Sequence, residues 1–162
     1  MKERFQVRVT KDHLTFCSGH FITYEGSCCE RLHGHNYRVA VEVEGPLDEN
    51  RYVFDFIALK NLTQSLTDEL DHRMMLPLES PYILVAQTGG QIEVRFEERM
   101  WSFPEGDCVL LPVANTTAEL LAAHLARRLQ QLLKEKHDFE PDRLSVEVEE
   151  SPGQSARCTF GR

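Results

Sequence analysis

The sequence lacks any run of about 20 apolar residues, which is the length needed to cross a bilayer, so we expect no membrane-spanning helix. Its first ten residues, MKERFQVRVT, contain no apolar stretch of the kind that forms the core of a secretory signal. We therefore expect a cytoplasmic protein without a membrane partner. Repeats, low-complexity tracts and long linkers are also missing, which predicts a single domain over residues 1–162.

An excess of positive charge is missing as well. The chain has 18 lysine and arginine residues against 26 aspartate and glutamate residues, a formal net charge of −8. General affinity for DNA or RNA requires a basic face, so we expect no nucleic-acid partner. A local cluster of basic side chains could still bind a small anion.

Cysteines are few and irregularly spaced: Cys17, Cys28, Cys29, Cys108 and Cys158. An odd number at irregular spacing does not suit a disulfide framework, and in a reducing compartment such residues are thiols. Two of them begin the segment CCERLHGHNY, residues 28–37, which concentrates reactive side chains in ten positions. This segment is the first candidate for a functional site.

Alternation of polar and apolar residues predicts strands at 4–10 and 13–22, and again from Leu32 through YRVAVEVEG. Two extended segments around Gly89 and Gly90 predict a hairpin within residues 82–103. The segments RLSVEVEE and ARCTFG predict two further strands near the end of the chain.

Leucines spaced by three and four residues predict two amphipathic helices. The first follows Asp55 as its N-cap and carries one apolar stripe: Phe56, Leu59, Leu62, Leu66 and Leu70. The second begins at NTTAE, where Thr116 and Glu119 have the spacing of a capping box, and continues to about Lys136. Its inward residues are predicted to be Leu121, Leu125, Leu129, Leu132 and Leu133. The order of elements predicts an α+β fold, an antiparallel sheet with two helices packed on one face.

The histidines of the reactive segment have the spacing of a metal site. In a strand, His33 and His35 lie on the same face with Cα atoms about 6.5–7 Å apart. Neutral imidazole suits Zn²⁺, and a catalytic zinc site has three protein ligands and one open position. His20 on the preceding strand is the candidate third ligand. The alternative is an exposed histidine pair on an edge strand, and spacing alone does not decide between the two.

Four motifs in this order, FCSGH, CERLHGHNY, LDHR and VEVEES, resemble the 6-pyruvoyltetrahydropterin synthase and 6-carboxytetrahydropterin synthase family. The resemblance covers most of the chain, and its specific core is a cysteine four residues before HGH followed later by Asp-His. It implies the tunnelling fold, or T-fold. It also implies the zinc ligands His20, His33 and His35.

The same resemblance implies the catalytic residues Cys29, Asp71 and His72, and the substrate-binding residues Glu150, Thr116 and Thr117. Cys29 would act as a base, with His72 oriented by Asp71 to help its proton leave. Glu150 would accept hydrogen bonds from the pterin, whereas strand alternation directs Glu149 to the opposite face. A helix C-terminus is the alternative role of Asp71 and His72, and a capping box is the alternative role of Thr116.

Two features depart from the family pattern. Glu30 directly follows Cys29, and in parts of the family a glutamate here replaces the cysteine and is associated with folate-type cleavage of the dihydroneopterin side chain. Glu30 is therefore either a second base or a solvated loop charge. About 40 residues separate LDHR from NTTAE, which predicts an additional β-hairpin insertion around 80–112. This insertion either covers the mouth of the active site, extends a subunit contact, or has no function.

The resemblance implies a zinc-dependent lyase that converts 7,8-dihydroneopterin triphosphate into 6-carboxy-5,6,7,8-tetrahydropterin, towards queuosine and other deazapurines. The alternatives are a 6-pyruvoyltetrahydropterin synthase, a folate-type enzyme that uses Glu30, and a non-catalytic protein that binds zinc and pterin. Family members form trimers that stack into hexamers with active sites between subunits. A homo-oligomer is therefore expected, and exposed sheet edges make such pairing physically reasonable.

Overall fold

Six strands of the protein form one main sheet, and the chain segment between two of these strands forms a smaller sheet of three strands. The computed structural model describes residues 3–26 and 28–161. The strands are β1 (Phe5–His20), β2 (Thr23–Tyr24), β3 (Cys28–Cys29), β4 (His33–Gly45), β5 (Arg73–Pro77), β6 (Leu84–Thr88), β7 (Gln91–Phe96), β8 (Arg99–Pro104), β9 (Cys108–Leu111), β10 (Arg143–Ser151) and β11 (Gln154–Gly161). The helices are α1 (Phe56–Leu70), α2 (Ala118–His137) and a short 3₁₀ turn at Glu105–Asp107.

The main sheet has the order β11-β10-β4-β1-β5-β9. Its first four strands pair antiparallel, which confirms the α+β fold predicted from the sequence. The pairs β1–β5 and β5–β9 are parallel, and neither β5 nor β9 was predicted. The two strands predicted at 4–10 and 13–22 are one long strand, whose pairing with β4 shifts register between Thr10 and Thr15.

Both helices bury a leucine stripe against the valines of the sheet. The core contains Leu59, Leu62, Leu66 and Leu70 of α1, Leu121, Leu125, Leu129 and Leu133 of α2, and Val39, Val41, Val43, Val146 and Val148 of the sheet. The prediction for Phe56 was wrong, because its side chain is 60% exposed at the first turn of α1. None of the helices in the described part of the chain is long and apolar enough to cross a membrane.

Both α-helices begin at a side-chain cap. The Asp55 carboxylate accepts a hydrogen bond from the Ala58 N–H at 2.6 Å, which confirms the predicted start of α1. The predicted cap of α2 was wrong by one residue: Thr117, not Thr116, is the N-cap and accepts from the Leu120 N–H. Thr116 is fully buried instead, and its backbone carbonyl has another partner, His20.

The insertion is larger than the predicted hairpin. The turn at Gly89 and Gly90 does connect two antiparallel strands, β6 and β7, and both glycines have positive φ as such turns require. A third strand, β8, extends the sheet beyond β7. Ile92, Val94 and Phe96 on the buried face of β7 pack in a second apolar cluster with Phe21, which directly follows β1, and with Met74 of β5. The inserted sheet is thereby attached beside the end of β1.

Candidate active site

Strand pairing brings three histidines to one point. In the register of β1 against β4, His20 lies opposite His33, Gly19 opposite Gly34 and Ser18 opposite His35. The ring centroids lie 4.8 Å apart for His20–His33, 5.2 Å for His20–His35 and 4.9 Å for His33–His35. A Cβ at position 34 would meet the Ser18 carbonyl oxygen at 3.1 Å, so glycine permits the close approach of the two strands here.

Backbone carbonyls determine which ring nitrogens are free. Nδ1 of His20 lies 2.9 Å from the Thr116 carbonyl oxygen, and Nδ1 of His33 lies 2.8 Å from the Arg31 carbonyl oxygen. A carbonyl oxygen can only accept, so each Nδ1 carries the proton and each Nε2 keeps its lone pair. The hydroxyl of the buried Tyr37 lies 3.2 Å from Nδ1 of His20 and further restricts that ring.

The free nitrogens have the properties of metal ligands. One ligand nitrogen from each of the three histidines lies within 4.8 Å of the others. Nε2 of His20 and Nε2 of His35 are buried and have no hydrogen-bond partner in the part of the chain that the structure describes, which is a large desolvation cost unless another group satisfies them. Burial also lowers the pKa of His20, which favours the neutral form that binds a metal. The residues therefore fit a divalent ion that accepts nitrogen ligands.

A carboxylate from β10 lies beside the same nitrogens. Glu150 Oε1 is 3.5 Å from Nε2 of His35, and Glu150 Oε2 is 3.9 Å from Nε2 of His20. Glu149 pairs with Ser155 and Ser151 pairs with Gln154, so the register shifts at Glu150. Such a bulge redirects a side chain, and here the redirected carboxylate faces the imidazoles.

Cys29 and Glu30 have different surroundings. The Glu30 carboxylate lies 3.8 Å from Nε2 of His33 and accepts a hydrogen bond from the Ile22 N–H at 3.2 Å. The Cys29 thiol donates to the Glu30 carbonyl oxygen at 3.5 Å, and its side chain packs against the second apolar cluster. Burial raises the pKa of Cys29, and the nearby Glu30 carboxylate raises it further, whereas Arg99 lowers it. The Glu30 carboxylate is therefore placed beside an imidazole, and the Cys29 thiol is bonded to a backbone carbonyl.

Asp71 and His72 form a pair at the end of α1. The Asp71 carboxylate accepts from the Cys17 N–H at 2.7 Å and from Nδ1 of His72 at 2.8 Å. The Cys17 amide is the main reason that the pKa of Asp71 is lowered. The His72 side chain is 82% exposed, and the contacts of the described residues do not join it to Cys29 or to the three histidines. Within one chain, this pair stands apart from the imidazoles.

Thr116 and Thr117 have structural contacts. Thr116 supports His20 through its carbonyl oxygen, and its hydroxyl donates to the Phe21 carbonyl oxygen at 3.4 Å. Thr117 caps α2. The sequence prediction also missed two supporting residues, Tyr37 behind His20 and Arg99 behind Cys29 and Glu30. Tyr37 lies in the HGHNY motif two positions after His35 and could have been found by strand alternation, whereas Arg99 has no such signal.

The site can therefore perform two chemical tasks. Three nitrogen ligands can hold a divalent ion that activates an oxygen-bearing substrate. The two flanking carboxylates, Glu30 and Glu150, can accept protons or hydrogen bonds beside it.

Comparisons with known proteins give a consistent result. The family model described as 6-pyruvoyl tetrahydropterin synthase matches residues 8–160. A Methanocaldococcus jannaschii protein, provisionally named 6-carboxy-5,6,7,8-tetrahydropterin synthase, is 31% identical over 144 residues, which cover 88% of each chain.

Two solved structures resemble the whole fold. Plasmodium falciparum 6-pyruvoyl tetrahydropterin synthase has 31% sequence identity and a TM-score of 0.90, over 99% of this chain and 100% of that one. A Plasmodium vivax 6-pyruvoyltetrahydropterin synthase, in which a catalytic glutamate is replaced by alanine, has 27% identity and a TM-score of 0.90 with the same coverage. Both structures match the chain over nearly its full length, including the inserted sheet.

Proposed function

The chain belongs to the 6-pyruvoyl tetrahydropterin synthase family of pterin lyases, and from this membership we propose that it is a zinc-dependent enzyme acting on 7,8-dihydroneopterin triphosphate. The proposed product is 6-carboxy-5,6,7,8-tetrahydropterin, formed from the substrate and one water molecule with release of acetaldehyde and triphosphate, towards queuosine and other deazapurines. The name of the Methanocaldococcus jannaschii relative supports this product. The observation that carries the proposal is the convergence of three imidazoles, two of which, His20 and His35, have a buried Nε2 without a hydrogen-bond partner among the described residues.

His20, His33 and His35 would hold the zinc ion through Nε2. When bound, zinc would supply Lewis-acid polarisation of the substrate's side-chain hydroxyls, which makes the neighbouring C–H groups more acidic. The hydrogen bonds to the Thr116 and Arg31 carbonyls hold two of these rings in the tautomer that a metal requires. The chain itself must then supply the base that takes the proton.

Cys29 is the proposed base, and Asp71 and His72 are its proposed activating pair. A thiol acts as a base only as the thiolate, and burial raises the pKa of Cys29. A positively charged or proton-accepting partner is therefore needed, and the His72 ring, held by Asp71 and largely exposed, can serve that purpose in a neighbouring chain. This arrangement is consistent with a trimer or hexamer whose active sites lie between subunits.

Glu150 is proposed to bind the pterin. Its two carboxylate oxygens can accept hydrogen bonds from adjacent N–H groups on the guanidine-like edge of the ring, which is a bidentate match. Its distance of 3.5 Å from His35 supports a position next to the reacting side chain of the substrate. Thr116 and Thr117 are proposed to contribute to this region by placing His20 and the start of α2.

Incubation of the zinc-loaded protein with 7,8-dihydroneopterin triphosphate, followed by mass identification of all products, tests the proposal. We expect 6-carboxy-5,6,7,8-tetrahydropterin and acetaldehyde, and at least a 100-fold lower rate for Cys29→Ala, since positioned acid–base groups contribute about 10²–10⁴-fold. Formation of the 6-pyruvoyl product instead of the 6-carboxy product would mean that the chain has the other activity of its family. An unchanged substrate would refute catalysis and leave a zinc- and pterin-binding protein.

A second candidate function has an observation of its own. The Glu30 carboxylate lies 3.8 Å from Nε2 of His33, and a catalytic residue of the Plasmodium vivax relative is a glutamate. If Glu30 is the base, the chain cleaves the dihydroneopterin side chain in the folate-type reaction. Glu30→Gln would then abolish turnover while Cys29→Ala retains it, and the products would contain the cleaved pterin instead of the carboxylate.

A further inference from the structure

We propose that Arg99, which belongs to the inserted sheet, is a positioning residue for catalysis: it holds the Cys29–Glu30 segment in place beside the three histidines. The inference rests on the proposed function, because it concerns the two candidate bases of that reaction. Through Arg99, the insertion helps to build the active site, instead of covering it, extending a subunit contact or having no function.

Arg99 binds two consecutive carbonyls of the segment. Its Nη1 donates to the Cys29 carbonyl oxygen at 2.9 Å and its Nη2 donates to the Glu30 carbonyl oxygen at 3.1 Å. The guanidinium group is planar and its N–H donors have a fixed fork geometry, so the two bonds restrict both the position and the orientation of the segment. A lysine ammonium at the same position would act as a point charge without that geometry.

The guanidinium group is itself held in place. It lies over the Trp101 ring, with 4.7 Å between the guanidinium carbon and the ring centroid. Trp101 in turn stacks on Phe21 at 4.6 Å with an interplanar angle of 21°. Phe21 directly follows the proposed ligand His20 and is buried. A continuous chain of contacts therefore connects the end of β1, the inserted sheet and the segment that carries the candidate bases.

The other side of the segment is connected to the same end of β1. The Glu30 N–H donates to the Ile22 carbonyl oxygen at 3.0 Å, and the Ile22 N–H donates to the Glu30 carboxylate. These bonds fix the amide and carboxylate of Glu30 relative to Ile22, and Arg99 fixes the carbonyls of Cys29 and Glu30. Within the described residues, β3 pairs with β2 through Cys28 and Cys29, so loss of Arg99 removes two of the hydrogen bonds that restrain this short segment.

The charge of Arg99 supports the same role. The guanidinium group lowers the pKa of Cys29, against the effects of burial and of the Glu30 carboxylate, which both raise it. A single side chain from the insertion thus orients the segment and favours the anionic form of one of its candidate bases.

The test compares Arg99→Met and Arg99→Lys with the matched control Arg95→Met. Arg95 lies on β7 of the same sheet and donates to Met100 Sδ rather than to the segment. Each protein is analysed for zinc content, for kcat and KM with 7,8-dihydroneopterin triphosphate, and, without substrate, for hydrogen exchange of the Glu30 amide. Arg99→Met is also combined with Cys29→Ala and with Glu30→Gln.

In Arg99→Met, we expect the hydrogen of the Glu30 amide to exchange at least tenfold faster. We also expect kcat to fall by about 100-fold, because a misplacement of about 1 Å can cost that much. KM and zinc content should change little, Arg99→Lys should fall between, and Arg95→Met should match the original chain. When the true base has already been removed, adding Arg99→Met should lower the remaining rate by less than twofold, because Arg99 acts through that base.

The outcomes separate this inference from the proposed function. If the original chain turns over no pterin but Arg99→Met still loosens the Glu30 amide, the proposed function is wrong and the positioning contact is real. If Arg99→Met leaves exchange and kcat equal to those of Arg95→Met, the positioning role is wrong. If Arg99→Met lowers the rate by the same factor in the original chain and in the variant that lacks the base, Arg99 has only a general structural effect.

Discussion

The chemistry of the site depends on two adjacent side chains that meet different surroundings. Cys29 packs against apolar residues and its pKa is raised by burial, so little thiolate is present at neutral pH unless a partner stabilises it. Glu30 contacts His33 directly. Consecutive residues of an extended segment point to opposite sides, so the orientation of one of them determines the surroundings of the other.

The pKa of Asp71 leads to a prediction about stability. The Cys17 N–H, together with His72, lowers this pKa in the folded state, so the carboxylate stabilises the fold above the pKa of an unfolded aspartate, which is about 3.9. That contribution is lost as the pH falls through the lower, folded-state pKa. We expect Asp71→Asn to lower the free energy of unfolding at pH 6 and to have progressively less effect below pH 4, as urea unfolding of the metal-free protein would show. A difference that is the same at both pH values would contradict this.

At the scale of elements, the amphipathic helices could be predicted well because their leucine stripes have clear helical spacing. The cap of α2 could not, since Thr116 and Thr117 are both good N-caps and only tertiary contacts separate them. Thr116 is buried, and its carbonyl accepts a hydrogen bond from Nδ1 of His20. Local propensity contains no information about that partner.

The short strands of the main sheet, β5 and β9, could not be predicted from local sequence either. Residues of β5 are almost all buried, and β9 has only four residues, so neither shows the alternation that distinguishes a strand. Their parallel pairing depends on β1, which is distant in the sequence. The third strand of the insertion was missed because only the turn at Gly89 and Gly90 gave a local signal.

The contribution of the α2 N-cap to stability can be measured by substitution. Thr117→Ala removes the acceptor for the Leu120 N–H and should lower the free energy of unfolding by about 1 kcal/mol. Asp55→Ala, which removes the cap of α1, is the matched reference and should have an effect of similar size. Denaturant unfolding of both variants provides the measurement. An unchanged stability of Thr117→Ala beside a destabilised Asp55→Ala would mean that Thr117 does not cap the helix.

At the scale of the whole molecule, the main question is how many chains build one active site. The three histidines and Glu150 meet within a single chain, whereas the exposed His72 has no described contact with them. The sequence motifs suggested one set of residues but contained no information about which chain supplies each. The single domain over 1–162 likewise stays a prediction from the sequence.

Mixing two inactive variants tests the shared site. We expect His35→Ala and His72→Ala each to be inactive alone, and a refolded mixture to regain about one quarter of the original kcat, because random assembly pairs an intact histidine set with an intact neighbouring His72 in one site of four. Each variant refolded by itself is the control. If the mixture stays inactive although mixed oligomers form, each active site lies within one chain.

The most direct test of the account is a zinc titration of the metal-stripped protein by isothermal titration calorimetry. We expect one zinc ion per chain, and at least a tenfold loss of affinity in His20→Ala, His33→Ala and His35→Ala. His13→Ala, which changes an exposed histidine of the same strand β1, should bind zinc as the original chain does. Zinc binding that survives the loss of His20, His33 or His35, or no binding by the original chain, would contradict the central claim.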